Sequence, residues 1–242
     1  MRLGVNIDHI ATLRQQRRGR TPDPIEAALT CEQAGATSIV CHLREDRRHI
    51  QDEDVRRLKA AIATRLNLEM SIAREIVDMA LAIHPHQVTL VPERRQELTT
   101  EGGLDVVRLE PQLVGLVREF QERGIEVSLF VDPVAAQLEA SRRTGATVIE
   151  LHTGTYANSG RSRDSDALRQ AAAQGRALGL SVAAGHGLDY DNVQAVLDIP
   201  EIEELNIGFS IISRALSVGL ERAVREMVGL LQRRSADALH AP

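Results

Sequence analysis

Histidines and carboxylates able to exchange protons recur at the ends of short apolar segments of this sequence. His42 follows the run ATSIVC, Glu69 lies in LNLEM, Glu150 lies in VIELH, and His186 follows LSVAAG. Histidine gains and loses a proton near neutral pH, and a carboxyl group in an apolar setting is held partly protonated, so both suit general acid–base chemistry. We therefore treat these four residues as candidate catalytic groups.

The two glutamates lie in segments typical of buried strands, where a carboxylate is costly unless it is paired or protonated. One interpretation is a structural ion pair or an outward-facing side chain. The other is a functional site, because the two-residue repeat of a strand places Glu150 and His152 on one face, and likewise Asn6 and Asp8. Clustering of this kind separates the pKa values of acids and bases, so we favour the interpretation as a functional site.

Arginine carries nearly all of the positive charge. The sequence has 28 arginines and a single lysine, Lys59, which lies in a predicted helix. Arginine cannot form an imine with a carbonyl substrate, but its guanidinium binds phosphate or carboxylate through paired hydrogen bonds. We therefore expect anionic substrates, and Lys59 is a poor candidate for imine chemistry.

Three regions are candidates for anion binding. The loop LREDRRHI carries Arg44, Arg47, Arg48 and His49, although a solvated charged face is an equally good interpretation. Two glycine-containing turns, AGHGL and NIGFS, follow the last two apolar runs, where backbone N–H groups can hold a phosphate. The arginines from Arg14 to Arg20 lie in a predicted loop that either closes over a substrate or lies at a subunit contact.

The elements that position these groups follow a regular alternation. Segments of helical periodicity separate eight apolar, β-branched runs, which lie at 3–7, 36–42, 66–70, 86–91, 125–131, 146–152, 180–184 and 202–208. Eight such units in this length predict an α/β fold, a (β/α)8 TIM barrel, whose active site lies at the carboxyl ends of the strands. A doubly wound open sheet is the alternative, but no GxGxxG turn follows the first run.

Length and composition set further limits. The 242 residues, with 43% hydrophobic residues and a net charge of −5, predict one barrel domain over 1–242 with a disordered tail from about 235. The acidic balance and the 2% aromatic content argue against nucleic-acid binding. No apolar stretch predicts a signal peptide or a membrane span, so we expect a cytoplasmic protein that does not bind membranes.

Seven motifs together resemble the pyridoxine 5'-phosphate synthase (PdxJ) family. In order they are NIDHIATLR, HLREDRRHI, NLEM, VPERRQELTTEGGLDV, IELHTG, AGHGL and ELNIG, and the likeness runs from about residue 3 to residue 230. The resemblance implies a (β/α)8 barrel with additional helices, and an octamer built from dimers. It also implies the condensation of 1-deoxy-D-xylulose 5-phosphate with 3-amino-2-oxopropyl phosphate, which gives pyridoxine 5'-phosphate, phosphate and water in vitamin B6 biosynthesis.

The resemblance also implies roles for individual residues. It makes His42 and Glu69 proton acceptors, His186 a proton donor and Glu150 a group that stabilises charge in the transition state. The amino-ketone phosphate is then held by Asn6, Arg17, Gly187, Gly208 and Phe209, and the deoxyxylulose phosphate by Asp8, His9, Arg44, His49 and Thr99. Phe209 departs from the family, which often has histidine there; this matters only if a ring nitrogen, rather than the backbone N–H, binds phosphate.

The chemistry implied by the resemblance needs neither a cofactor nor a metal, because one substrate brings its own amine and the protein supplies proton transfers. The alternative is a metal-dependent phosphosugar epimerase or aldolase on the same barrel, with His9, His42, Glu150 and His152 as ligands. It is disfavoured because these residues do not form a tightly spaced ligand motif. A barrel that only binds or scaffolds would leave the convergence of ionisable groups unexplained.

Overall fold

Eight parallel strands close into a barrel in the computed structural model, which describes residues 1–93 and 102–237. The strands are β1 (Arg2–Asn6), β2 (Ser38–Leu43), β3 (Arg65–Met70), β4 (Gln87–Leu90), β5 (Glu126–Val131), β6 (Val148–His152), β7 (Ser181–Gly185) and β8 (Ile202–Ile207). Each strand pairs with its neighbours in chain order, and β1 pairs with β8, for example Leu3 with Leu205. The predicted (β/α)8 barrel is confirmed.

Helices surround the barrel. They are α1 (Asp8–Gln15), α2 (Pro24–Gln33), α3 (Asp52–Ala61), α4 (Arg74–Ile83), α5 (Val106–Gln121), α6 (Ala135–Thr144), α7 (Gly154–Ser159), α8 (Ser162–Ala177), α9 (Val193–Leu197), α10 (Phe209–Val218) and α11 (Leu220–Asp237). Helix α11 therefore runs through residue 235, where the sequence predicted a disordered tail to begin. The rest of that predicted tail, 238–242, lies outside the described residues.

The first turn after β1 differs from the sequence prediction. Asp8 and His9, expected to close the first strand, instead open helix α1, and Arg14 lies in this helix rather than in a loop. The Arg14 guanidinium is buried and donates to both oxygens of Asp54, at 2.6 and 2.7 Å. Prediction failed here because the helix has no side-chain N-cap and its many charged and polar residues are typical of a loop.

Side chains alternate between two environments along each strand. One set packs against the helices in a continuous apolar core, for example Leu3, Ile39, Leu68 and Val127. The other set faces the lumen and is largely polar. Thr89 donates to Asn67 across 2.8 Å, and the Asn206 amide donates to Glu150 across 2.6 Å.

The amino-terminal end of the barrel carries ion pairs and the single lysine. Arg2 pairs with Glu204 at 3.2 Å, and Arg65 pairs with Glu126. Lys59, at the end of α3, lies 3.3 Å from the exposed ring of His86. Lys59 is therefore at the opposite end from the strand termini where a barrel places its chemistry.

Two similar segments, AGATSIV and TGATVIE, join a helix to the next strand through the same glycine conformation. Gly35 and Gly145 follow α2 and α6 with φ of 106° and 90°, the left-handed conformation that ends a helix before the next strand. Cys31 and Cys41 are buried and form no disulfide. Within 1–93 and 102–237, no helix has the length and apolarity needed to cross a bilayer.

Candidate active site

The carboxyl ends of the strands bring the predicted acid–base groups to one mouth of the barrel. Glu69 and Glu150 both point inward, because Glu69 lies 3.4 Å from the Asn6 amide across the lumen and Glu150 accepts from Asn206. This excludes the outward-facing interpretation. Neither glutamate has an ion-pair partner among the described residues, so the structural ion pair is also wrong.

The environment of the two glutamates raises their pKa values. Burial, followed by the nearby charges of Glu150 and Asp8, holds the pKa of Glu69 well above its usual value. Burial raises the pKa of Glu150 to about 8, although the hydrogen bond from Asn206 opposes the shift. Glu150 is therefore protonated over much of the neutral range, and each of the two carboxyl groups is a stronger base when ionised than an ordinary glutamate.

Asp8 holds the first two strands together at the mouth. One carboxylate oxygen accepts the backbone N–H of His42 at 2.8 Å, and the other accepts the Asn6 amide at 3.0 Å. The backbone N–H of Asp8 in turn donates to the Asn6 side-chain oxygen at 2.9 Å. Asn6, Asp8 and His42 thus form one rigid unit, with Glu69 beside it.

Glu93 is a site residue that sequence reasoning missed. Its Oε1 lies 2.9 Å from Nε2 of His42, and its Oε2 accepts the backbone N–H of Glu45 at 3.0 Å. Although burial works against it, the hydrogen bond from His42 holds the pKa of Glu93 below its usual value. Glu93 lies in the motif VPERRQELTTEGGLDV, and no local pattern indicated that it would reach the second strand.

The basic loop after β2 lies at the same mouth. Arg44 is buried and pairs with Asp46 at 3.4 Å, and the rings of His42 and His49 are 6.1 Å apart. Burial lowers the pKa of His49, so that its ring is neutral near pH 7. A solvated charged face is therefore wrong for the buried Arg44, and the half-buried His49 lies beside His42 at the mouth.

The turns after β7 and β8 form the other side of the mouth. His186 and Gly187 both have left-handed backbones, with φ of 82° and 80°. Burial, followed by the charge of His152, lowers the pKa of His186 to about 4. Gly208 precedes α10, so the first N–H groups of that helix face the mouth beside Asn6.

Phe209, Arg17 and Thr99, three of the predicted substrate-binding residues, do not lie together in the structure. Phe209 is 70% exposed, and its ring meets the edge of His9 at 5.3 Å. Arg17 lies in the exposed turn after α1, and within the described part of the chain its side chain contacts none of the other predicted site residues. Thr99 lies outside the described residues.

The metal-dependent alternative requires side chains that can hold an ion. Among the residues described, one set of side chains could hold an ion, namely Asp8, His42 and Glu69, whose ligand atoms lie within 4.8 Å of one another. His9, Glu150 and His152, which the alternative required, are not part of this set. Because Asp8 and His42 already hydrogen-bond to their neighbours, the set also has a structural explanation.

Comparison with known proteins decides the family. Residues 3–233 match the family described as "Pyridoxal phosphate biosynthesis protein PdxJ". The chain belongs to the PdxJ family. A Chlorobium chlorochromatii protein named pyridoxine 5'-phosphate synthase is 54% identical over 96% of this chain and 100% of its own length. A Synechococcus protein of that name is 57% identical over 93% and 96%.

Solved structures similar to this PdxJ-family chain share its fold at low sequence identity. Phosphoribosylanthranilate isomerase of Thermotoga maritima superposes with a TM-score of 0.62 at 14% identity, covering 96% of this chain and 98% of its own. The tryptophan synthase α-subunit of Pyrococcus furiosus gives 0.64 at 13% identity, covering 95% and 97%. These likenesses support the barrel and say nothing about the reaction.

Proposed function

We propose that this chain is a pyridoxine 5'-phosphate synthase, which joins 1-deoxy-D-xylulose 5-phosphate to 3-amino-2-oxopropyl phosphate with release of phosphate and water. The observation that carries the proposal is the mouth itself. Two carboxyl groups with raised pKa values face two histidines, and all four lie at the ends of barrel strands. Membership of the PdxJ family and the printed name of its relatives support the same reaction.

The condensation begins with an imine between the two substrates. The amine comes from the amino-ketone, and the carbonyl comes from the deoxyxylulose phosphate. The single lysine of the chain lies at the far end of the barrel beside His86, which agrees with a reaction that uses no protein amine. The protein therefore supplies orientation and proton transfer.

Proton acceptance is assigned to His42 and Glu69. The carboxylate of Glu93 binds Nε2–H of His42, which orients the ring and stabilises it once it has taken up a proton. Glu69 is partly open at the mouth, and its raised pKa makes the ionised form a strong base. The two residues are neighbours across paired strands, because His42 of β2 is in register with Glu69 of β3.

Glu150 and His186 occupy the opposite side. A Glu150 carboxyl that ionises during the reaction places a negative charge where positive charge develops on the substrate nitrogen. His186 is neutral near pH 7 because of its low pKa, so it donates a ring N–H rather than acting as a resting cation.

Two phosphate sites complete the proposal. The backbone turns at Gly187 and at Gly208–Phe209 offer N–H groups to the phosphate of the amino-ketone. Arg44 and His49 lie across the mouth and bind the second phosphate, with Arg44 able to form paired hydrogen bonds. Because Phe209 has no ring nitrogen, only its backbone can take part in phosphate binding.

The decisive experiment incubates the purified protein with both substrates in excess EDTA. Pyridoxine 5'-phosphate is detected by its mass, and the inorganic phosphate that is released is measured in parallel. Product formed under chelation supports the synthase and argues against a metal-dependent epimerase or aldolase. The absence of product, together with turnover of a phosphosugar restored by a divalent metal, would make Asp8, His42 and Glu69 metal ligands instead.

The assembly and the location are also proposals. We infer an octamer built from dimers in the cytoplasm, where Cys31 and Cys41 would remain reduced. Exposed apolar side chains, Val134 at 52% and Val107 at 47%, support association between copies. Light scattering of the purified chain tests the octamer, and a monomeric mass contradicts it.

A further inference from the structure

The turn that follows β7 carries two groups of the proposed reaction, the ring of His186 and the backbone of Gly187. Both residues have left-handed backbones, with φ of 82° and 80°. Glycine adopts this conformation freely, whereas histidine rarely does, because its Cβ crowds the neighbouring peptide group. A left-handed histidine therefore needs contacts that hold it in place.

A buried threonine at the end of the neighbouring strand provides such contacts. Thr153, which directly follows β6 and is fully buried, places its hydroxyl 2.7 Å from the backbone oxygen of Gly185 and 2.5 Å from that of His186. The single hydroxyl proton is shared between these two oxygens. The backbone N–H of Thr153 also donates to the oxygen of Gly185, at 2.9 Å. Thr153 thus fixes the peptide groups on both sides of His186.

The next two backbone oxygens of the turn are also held by side chains. The side-chain amide of Asn192 donates to the oxygen of Gly187 at 3.0 Å, and the hydroxyl of Ser210 donates to that of Leu188 at 2.7 Å. The amide oxygen of Asn192 accepts the backbone N–H of Asp189 at 2.8 Å, which closes the turn. Three separate segments of the chain therefore hold four successive backbone oxygens.

These contacts determine where the N–H groups of the turn point. In a planar trans peptide the N–H lies on the opposite side from the C=O. Because the oxygen of His186 points to the buried Thr153, the N–H of Gly187 points away from it, and the N–H of Leu188 likewise points away from Asn192. Within 1–93 and 102–237, no group accepts either N–H. Both are thereby left to bind an anion.

Ser210 connects this turn to the one that follows β8. It lies in the first turn of α10, directly after Phe209, whose backbone N–H is proposed to bind the same phosphate. Its bond to the oxygen of Leu188 therefore fixes the two phosphate-binding turns relative to each other.

We propose that Thr153, Asn192 and Ser210 are positioning residues that set the turn after β7 for proton donation and for phosphate binding. Thr153 holds the ring of His186 where it donates a proton. Together the three side chains orient the backbone N–H groups toward the phosphate of the amino-ketone. The inference rests on the proposed function, because it explains how that site is held in place.

Thr153→Val tests the role of the buried hydroxyl. Valine has nearly the same shape as threonine but cannot donate, so His186 loses a contact on each side. We expect kcat to fall by about 10- to 100-fold and KM for the amino-ketone phosphate to rise about 10-fold, since both the ring and the N–H of Gly187 are displaced. KM for the deoxyxylulose phosphate should stay unchanged, because its proposed ligands lie on other elements.

Two further variants control for the change of side chain. Thr153→Ser keeps the hydroxyl and should restore kcat and KM to near the wild-type values. Thr30→Val removes a hydroxyl that donates to a backbone oxygen at 2.9 Å on the outer helix α2, and should change neither constant.

Asn192→Ala tests the support of the Gly187 peptide. It should raise KM for the amino-ketone phosphate by about 10-fold, the usual effect of losing one hydrogen bond, with a smaller change in kcat. Gln121→Ala is the matched control, because the Gln121 amide donates to the oxygen of Gly145 at 2.8 Å at the amino-terminal end of the barrel.

Ser210→Ala tests the connection between the two turns and should also raise KM for the amino-ketone phosphate alone. Ser141→Ala is its control, since the Ser141 hydroxyl donates to the oxygen of Gln137 at 2.7 Å within α6. Steady-state kinetics with each substrate varied in turn give the constants for all of these variants.

A merely structural role would raise KM for both substrates together, or give Thr153→Ser the same defect as Thr153→Val. Either result overturns the inference. If Thr153→Val does not fold, Asn192→Ala decides, because the Asn192 side chain is only partly buried. An inactive wild type would overturn the proposed function and this inference with it, whereas an active wild type with unaffected variants overturns this inference alone.

Discussion

Glu69 and Glu150 show how single side chains acquire their chemistry from the lumen. Each extends from a strand whose outward neighbours pack against helices, for example Leu68 and Ile149. Burial raises the pKa of both carboxyl groups, and the nearest compensating contacts are amides rather than guanidinium groups. An amide cannot neutralise a carboxylate, so these groups remain ready to gain and lose protons.

Replacing Glu69 with glutamine should lower kcat of the synthase reaction by at least about 100-fold, the usual effect of removing a general base. Glutamine keeps the size and the polarity of the side chain, so the fold should survive. Glu75→Gln is the control, because the Glu75 side chain is 80% exposed on α4. A Glu69→Gln enzyme with near-normal kcat would exclude Glu69 as a proton acceptor.

Glu150 makes folding stability depend on pH. Its pKa is about 8 in the folded protein and near 4.5 when unfolded, so the folded state binds the proton more tightly. The stabilisation is complete below pH 4.5 and is lost as the pH rises toward 8. We expect the free energy of unfolding to fall by about 1 kcal/mol between pH 7 and 8. The lowered pKa of His186 makes the stability rise with pH instead, but only between about pH 4 and 6.5.

Urea titrations at pH 7 and pH 8 measure this slope. Glu150→Gln should reduce it, because a glutamine does not titrate. Glu122→Gln, whose side chain is 63% exposed, should retain it. An equal slope in the Glu150→Gln protein would show that Glu150 does not titrate in this range.

Residue identities at the site were largely predictable, but their partners were not. His42, Glu69, Glu150 and His186 follow from polar residues at the ends of apolar runs. Glu93 and Asp132 could not be found this way, because each lies just beyond a strand in an irregular segment and acts on a histidine of another strand. Such contacts depend on the path of a loop, which local sequence patterns do not determine.

At the scale of elements, the segment before α5 depends on one close approach. The N–H of Gly103 bonds to the Asp132 carboxylate, and a Cβ at Gly103 would overlap the backbone of Val131 and Asp132. Gly103→Ala should therefore lower the free energy of unfolding by about 1–3 kcal/mol, since backbone has to move. Urea denaturation measures the change.

Gly115→Ala is the matched control. Gly115 lies inside α5, and a Cβ there meets nothing within 4 Å. Because alanine is the better helix former, this change should raise the stability by about 0.5–1 kcal/mol. If both variants lost stability equally, the close approach at Gly103 would not explain the effect.

The strands were predicted well because their signal is local, a run of apolar residues ended by a turn. Helix boundaries were harder. Pro111 is typical of the first turn of a helix, but α5 begins at Val106 with Asp105 as its cap. Helix α7 could not be expected from its six residues, GTYANS, because they are weak helix formers.

At the scale of the whole molecule, the end of the chain packs against its beginning. Helix α11 covers α2 and β1, and Ala223, Val224 and Met227 are fully buried. Met227→Ala should lower the free energy of unfolding by about 2–5 kcal/mol, the cost of a cavity in a packed core. Leu216→Ala, at a side chain that is 76% exposed, should change it by less than about 0.5 kcal/mol.

Thermal and urea unfolding of both variants test this packing. A small effect for Met227→Ala would mean that α11 is not part of the cooperative core. An equal effect at Leu216 would indicate that this exposed side chain is covered in an assembly of several copies.

Lys59 lies at the amino-terminal end of the barrel, opposite the mouth. As the sequence has no other lysine, reagents that couple to side-chain amines can attach the protein to a solid support at this one place. A subunit attached through Lys59 would then present its mouth away from the support. The natural composition of the chain thus provides an oriented catalyst surface without any engineered tag.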